Sequence, residues 1–372
     1  MKCVALLLAL AGCDAVFGLD TPKLHDAAAG DGNDAGCVNI GHYGEASAGW
    51  FLTCVASDAT DLVLDAQTLD TASDPRCSND ATQCTIVARA LTIAGDVHVV
   101  GDRPLVLVAS GSITINALLD ASSTRNVTTQ VAGPGAATSS CQQAPPGATS
   151  LTGGGGGGPG ASGQTAGGAG GAGNSGTSAT VLPPEVPPTS LRAGCPGGNG
   201  GTGMGSAPGA GGFGGGAIYL ASPLIAFGAV GAIDARGNGG DGGHGLSSGG
   251  GGGGGGTGGL IAFDTMTFAF PVSSGILNAN GGGGGGGGGA GGDGGAGGQS
   301  AAPTVPAPGG SAAGGSIGGT GNSNNNDGQP GVAGNQNGGG GGGGGAGFIV
   351  LFSSGTHVAS DPQRISPDIT TP

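Results

Sequence analysis

The chain has 372 residues, of which 95 are glycine and 22 proline, while 9% are charged and 3% aromatic. Few large side chains remain to fill the core of an ordinary enzyme, and charge is too scarce for a charge-rich disordered tail. The net charge is −14 and the lysines are Lys2 and Lys23 alone. This charge balance excludes binding to DNA or RNA through counterion release, so we expect no nucleic-acid partner.

The first residues have the pattern of an export signal. Lys2 precedes the apolar run Val4 to Leu10, which is shorter than the roughly 20 residues that a membrane span needs. Small residues then lead to Cys13, and this end resembles a bacterial lipoprotein signal. The resemblance implies a signal peptide at residues 1–12, cleavage before Cys13 and acylation of Cys13. The alternative is an ordinary signal peptide with a chance cysteine.

Residues 13–36 are acidic and rich in alanine, glycine and aspartate, without periodicity. This composition predicts a flexible tether. An acidic chain is repelled by anionic lipids, so we expect the acyl group on Cys13 to make the membrane contact. The predicted location is the cell envelope, at the outer membrane or cell surface.

Six cysteines remain beyond the signal, and an even number in an exported protein indicates disulfides. They are Cys37, Cys54, Cys77, Cys84, Cys141 and Cys195. Six cysteines allow about fifteen pairings, which sequence alone does not resolve. Spacing favours neighbours in the chain: Cys37 with Cys54, Cys77 with Cys84, and Cys141 with Cys195. No Cys-x-x-Cys pair occurs and the histidines are far apart in sequence, so we predict no metal site.

From Cys37 onward, short runs of aliphatic and β-branched residues alternate with Gly, Asp, Asn and Pro, as is typical of β-strands. The runs Thr85 to Val87 and Leu91 to Ile93 are among those that we expect to form separate strands. Four segments repeat one pattern, in which an aliphatic residue precedes Asp or Asn, a small residue and a turn. They contain Asp70, Asp120, Asp234 and Asn278. Their irregular spacing suits a parallel β-helix, because each coil can carry a loop of any length. The sequence therefore predicts an all-β, parallel β-helix-like solenoid with long glycine-rich loop insertions.

Glycine runs separate the matching coils. Gly loses more conformational entropy on ordering than any other residue, which favours a disordered linker. Near-triplet repeats favour the alternative of packed polyglycine-II, in which extended chains with three residues per turn lie backbone to backbone. The predicted boundaries are a disulfide-stapled β-helix start at 37–122, a glycine-rich insertion at 123–215, coils with a glycine loop at 216–283, a second insertion at 284–346, and a final strand with a C-terminal tail at 347–372.

The order of these features carries a resemblance. A cysteine after an export signal, an acidic tether and cysteine-bracketed strands precede the segments Arg103 to Ala109 and Leu119 to Ser122, and then Arg192 to Gly198. In this order the chain resembles uncharacterised glycine-rich surface lipoproteins of myxobacteria with a β-helix-like repeat. The resemblance covers nearly the whole chain and implies a surface location, but it supplies no catalytic residues.

We assign no catalytic residue and no cofactor from the sequence. Gly245 to Gly249 matches G-x-S-x-G, but it lies in a glycine loop rather than between a strand and a helix. If the coils stack in register, Asp70, Asp120, Asp234 and Asn278 form one column, about 4.8 Å apart. Such a column suits a carboxylate pair for polysaccharide cleavage, or simply turn residues at corners.

The sequence therefore favours a lipid-anchored envelope protein with a structural or adhesive role, not an enzyme. Binding of extracellular polysaccharide, matrix or another extended ligand on a flat β face is the first alternative. A polysaccharide hydrolase or lyase is the second.

Overall fold

The structure is a computed structural model, and it describes residues 37–41, 53–78, 80–126, 129–138, 141–142, 144–246, 248–271, 275–312, 314–335, 337–353 and 363–371. Residues 1–37 and 38–372 form separate units. The predicted signal peptide, the tether and Cys13 lie outside the described residues.

Two parallel sheets dominate the described chain. The longer sheet has seven strands: β3 (Leu62–Leu64), β5 (Cys84–Ile93), β7 (Leu105–Ile115), β11 (Ala217–Phe227), β13 (Leu260–Ala269), β15 (Phe348–Phe352) and β17 (Ile369–Thr370). The shorter-stranded sheet has six: β4 (Gln67–Asp70), β6 (Val97–Val100), β8 (Leu118–Asp120), β12 (Ala232–Asp234), β14 (Ile276–Asn278) and β16 (Ile365–Ser366). The chain alternates between the two sheets, and each strand lies beside the matching strand of the preceding repeat.

Two small sheets complete the strands, β1 (Cys37–Ile40) with β2 (Thr53–Ala56), and β9 (Thr124–Arg125) with β10 (Gln130–Val131). Among the described residues, the helical structure is one 3-10 turn at Ala136–Thr138. The prediction of an all-β fold with parallel strands is confirmed.

Side chains stack in register between the two sheets. One buried column in the longer sheet runs through Ile86, Leu107, Leu220, Phe263 and Leu351. A second, in the shorter sheet, runs through Val97, Leu119, Ile233, Leu277 and Ile365. Because successive strand residues point to opposite faces, this stacking keeps the aliphatic side chains of every repeat in one core.

Several strands are longer than the sequence predicted. The segments Thr85 to Val87 and Leu91 to Ile93 were expected as separate strands, but both belong to β5. The pairing of β5 with β7 shifts register between Ala88 and Ala90. An irregularity of this kind reverses the inward face without ending the strand, so it looks like a strand break in the sequence.

Most of the glycine lies in three connections, from β8 to β11, from β12 to β13 and from β14 to β15, and its extended segments are buried and hydrogen-bonded. Gly250 to Gly258 all donate their N–H to a backbone carbonyl at 2.8–3.1 Å. The acceptors rotate with a period of three, among segments 238–244, 195–201 and 339–345. Carbonyl oxygens of 249–257 accept, in the same rotation, from segments 155–161, 282–288 and 209–215.

The segment of residues 249–258 therefore has six neighbouring segments, three that accept its hydrogen bonds and three that donate hydrogen bonds to it. The close approach has a steric cause. A Cβ on Gly254 would overlap the carbonyl oxygen of Pro159, and one on Gly341 would overlap that of Gly253. The glycine segments thus form a second core, which is built from backbone.

Candidate functional site at the base of the glycine segments

Three strands of the shorter sheet end in an aligned polar residue. Asp120 of β8 lies opposite Asp234 of β12, which lies opposite Asn278 of β14. This part of the predicted column is confirmed. The prediction was wrong for Asp70, which lies opposite Val100 of β6.

The residue that extends the column beyond Asp120 is His98. The repeat pattern missed it because the β6 segment, Val97 to Val100, contains neither Asp nor Asn. The alternation Val97-His98-Val99 was the available signal, since both valines are buried and His98 is half-exposed between them.

Each polar residue caps the turn that follows its strand. Asp120 Oδ1 accepts from the N–H of Ser122 at 2.9 Å, Asp234 Oδ1 from Arg236 at 3.1 Å, and Asn278 Oδ1 from Asn280 at 3.2 Å. Asp70 makes the same contact with the N–H of Ala72, at 2.9 Å. Asp and Asn favour such positions because their short side chains reach the amide two residues on.

The turns after Asp120, Asp234 and Asn278 also lie where the three glycine connections leave the shorter sheet. In each turn, the carbonyl of the alanine that follows the column residue accepts a hydrogen bond from the N–H of the glycine immediately before the next long strand. The pairs are Ala121 with Gly216 at 2.9 Å, Ala235 with Gly259 at 2.6 Å, and Ala279 with Gly347 at 2.8 Å. Each glycine connection therefore leaves and re-enters the strand region at one hydrogen bond.

His98 and Asp120 form a half-buried ion pair, with Nδ1 of His98 3.1 Å from Oδ2 of Asp120. The hydrogen bond with Asp120 raises the pKa of His98. Burial acts to raise the pKa of Asp120, but hydrogen bonds from His98 and Ser122 outweigh it, so this pKa lies below its usual value.

Asp234 is the more buried carboxylate. Burial raises its pKa to about 6, the neighbouring charge of Asp120 adds to the rise, and Arg236 opposes it. Arg236 Nε lies 2.6 Å from Asp234 Oδ2. A second nitrogen of the Arg236 guanidinium donates to the carbonyl of Ser300, in the third glycine connection. Arg236 thus ties the second corner to another glycine segment.

A buried amide network continues the column. Asn280 Nδ2 donates to Ser300 Oγ at 3.1 Å and to the carbonyl of Pro303 at 2.9 Å. Its Oδ1 accepts from Asn322 Nδ2 at 3.2 Å and from Ser366 Oγ at 2.6 Å. The side chain of Asn280 therefore joins two parts of the third glycine connection to the last strand of the shorter sheet.

These contacts define what the column does chemically. Its carboxylates and amides hold turns, arginine and histidine in place, and Asp234 is 8% exposed. In the described part of the chain, no group of three or more His, Cys, Asp or Glu residues is placed to hold a metal ion.

A second candidate site is an outward face of the longer sheet. Residues of neighbouring strands line up in two rows at the carboxyl ends of the long strands: Val63, Thr92, Thr114, Ala226 and Ala269 in one, and Ala90, Ser112, Leu224 and Thr267 in the other. All nine are half-exposed or exposed, and none is charged or aromatic. The result is an uncharged strip of aliphatic and hydroxyl side chains.

The structure gives the partners in two disulfides, and each joins cysteines that are neighbours in the chain. Cys77 is bonded to Cys84, and Cys141 to Cys195, as the spacing favoured. Cys37 and Cys54 are also disulfide-bonded.

Comparison with protein-family models, with curated proteins and with solved structures finds no match to this chain. Within the described residues, no helix is both long and apolar enough to cross a membrane.

Proposed function

We propose that this chain is a lipid-anchored protein of the cell envelope with a structural or adhesive role, acylated at Cys13. The observation that supports it most is the glycine core. A body whose segments each bond to several neighbours resists local opening, which suits a protein that must hold its shape outside the cell.

We also propose the finer architecture. The alternation of long and short parallel strands is a β-helix-like solenoid, since it repeats one corner at Asp120, Asp234 and Asn278. The glycine segments are packed polyglycine-II, because their hydrogen bonds rotate with the period of a helix with three residues per turn. The resemblance to glycine-rich myxobacterial surface lipoproteins stays part of this proposal.

Anchoring is tested by Cys13→Ser in cells that export the chain. We expect loss of acylation and a shift of the protein from the detergent-extracted membrane fraction to the soluble fraction. Cys3→Ser, inside the predicted signal peptide, is the matched control and should leave the distribution unchanged. A Cys13→Ser protein that still partitions with membranes would contradict the lipoprotein proposal.

A second candidate function is binding of an extended ligand such as polysaccharide, and the uncharged strip on the longer sheet favours it. Such a strip lets a linear polymer touch several strands at once. We expect purified protein to co-sediment with an insoluble polysaccharide from a panel, and Thr114→Glu to abolish that binding. Thr189→Glu, at an exposed position elsewhere, is the control. Equal binding by parent and Thr114→Glu would assign any affinity to another surface.

A further inference from the structure

One disulfide of this chain lies against a cation. Nη1 of Arg192 is 3.2 Å from Cys141 Sγ and 3.4 Å from Cys195 Sγ. The other terminal nitrogen of Arg192 pairs with Oε2 of Glu185, whose Oε1 lies 3.7 Å from Cys195 Sγ. Cys195 is buried, whereas Cys141 is half-exposed.

The disulfide and Arg192 stand at the end of a proline-rich segment, residues 182–191. Every third residue is half-buried, at Leu182, Glu185, Pro188 and Leu191, and the pairs between them are exposed. This period of three is that of an extended polyproline helix lying on the surface. The N–H of Glu185 donates to the carbonyl of Gly163 at 2.7 Å, so the ion pair with Arg192 holds the middle of the segment.

The second disulfide provides a contrast inside the same molecule. In both disulfides one cysteine is buried and the other half-exposed, and the half-exposed sulfur lies near a carbonyl oxygen: Cys77 Sγ is 3.7 Å from that of Thr71, and Cys141 Sγ is 3.9 Å from that of Ala193. The two disulfides differ in the guanidinium of Arg192, which contacts both sulfurs of Cys141–Cys195 and stabilises a thiolate there. The Cys77–Cys84 loop is also short, with a sequence separation of 7 against 54 for Cys141–Cys195, so its thiols meet again more readily.

We propose that Cys141–Cys195 is a thiol-exchange site, at which an external dithiol breaks the bond while the backbone of Cys195 stays hydrogen-bonded to Thr257. A thiolate of the dithiol attacks the accessible sulfur of Cys141. The Cys141–Cys195 bond breaks, a mixed disulfide forms on Cys141, and the electron pair leaves with Cys195 as a thiolate beside Arg192.

The second thiol of the reagent, after losing its proton to solvent, attacks the mixed disulfide. It releases Cys141 as a thiolate, also beside Arg192. The protein disulfide gains two electrons and the dithiol becomes a disulfide. Both leaving groups are stabilised by the same guanidinium, and a better-stabilised leaving thiolate departs faster.

The test uses the full-length mature protein, dithiothreitol as the dithiol, and timed alkylation followed by mass mapping of each cysteine pair. We expect Cys141–Cys195 to open before Cys77–Cys84. Arg192→Gln should slow the opening of Cys141–Cys195 several-fold, and Arg192→Lys should keep a rate near that of the parent. Glu185→Gln, which leaves the guanidinium less neutralised, should speed it.

The rate at Cys77–Cys84 serves as an internal reference in every variant. General loosening of the fold would speed both disulfides in both glutamine variants, and that result would overturn the proposal. So would Cys77–Cys84 opening first in the parent, or equal rates at Cys141–Cys195 in the parent and Arg192→Gln.

Discussion

In the strand region, columns of side chains such as Ile86, Leu107 and Leu220 fill the space between the sheets. In the glycine region, Gly250 to Gly256 bury seven residues with no side chain at all. The first region gains stability by removing apolar side chains from water. The second gains it from close backbone contact and from hydrogen bonds that leave no amide of this segment unpaired.

The two regions therefore respond oppositely to the addition or removal of a methyl group. A strand core loses stability when methyl groups are removed, because a cavity remains. A glycine core loses stability when one is added, because the neighbouring carbonyl occupies the place of the new Cβ. Reciprocal substitutions therefore separate the two kinds of core.

The largest effect is expected from a truncation in the strand region. Leu107 is fully buried, and Leu107→Ala should lower the free energy of unfolding by ~2–5 kcal/mol. Urea denaturation followed by circular dichroism measures it. Val63→Ala, on a strand of the same sheet but 60% exposed, is the control and should cost much less. Equal costs at the two positions would contradict a side-chain core in this region.

The second-largest effect is expected when a methyl group is added in the glycine region. Gly254→Ala places a Cβ against the carbonyl of Pro159, and overpacking of this kind costs ~1–3 kcal/mol. Thermal melting and amide exchange of segment 249–258 measure it. Ala210→Ser, at an exposed position in the same region, should be nearly neutral. If Gly254→Ala stabilised the protein, as relief of glycine flexibility alone would do, the backbone core would be refuted.

How far the sequence predicted these regions follows from the same contrast. Strand positions, the Cys77–Cys84 and Cys141–Cys195 pairs, and the alignment of Asp120, Asp234 and Asn278 were all accessible, because side chains carry the pattern. The continuity of β5 across Ala88 to Ala90 was not, since a register shift interrupts the alternation.

The register and the neighbours of the glycine segments could not be predicted, for a different reason. A run such as Gly250 to Gly256 carries no side chain that distinguishes one register, or one neighbour, from another. Three of its six neighbours come from the preceding connection, one from its own connection and two from the following one, and they are fixed by where each connection leaves the strands. His98 was missed because its strand lacks the Asp or Asn of the other repeats, although that strand occupies the matching position.

The smallest effect is expected where the two regions meet, at Asp234, and it depends on pH. Burial raises the pKa of Asp234 to about 6, above its ordinary value. A carboxyl group whose pKa is raised by folding favours the folded state while it is protonated, and this contribution is lost as the pH rises from about 4 through about 6. Asp234→Asn has no proton to lose, and its amide oxygen can still accept from the N–H of Arg236. We therefore expect the variant to match the parent at pH 4 and to be more stable by ~1–2 kcal/mol at pH 8.

Unfolding free energies of both proteins across pH 4 to 8 measure this difference, with Asp70→Asn, a turn residue outside the column, as the control. For Asp120→Asn the measurement extends down to pH 2. Because the pKa of Asp120 is lowered in the folded protein, its stabilising contribution is present above about pH 4 and is lost as the pH falls below that value, so the variant should be less stable than the parent above pH 4 and approach it at lower pH. The two asparagine variants should also be assayed with the parent for release of reducing ends from polysaccharides. Release by the parent that either variant abolishes would assign these carboxylates to catalysis. A pH-dependent stability difference without any release would assign them to the corners, where they join the strand core to the glycine core.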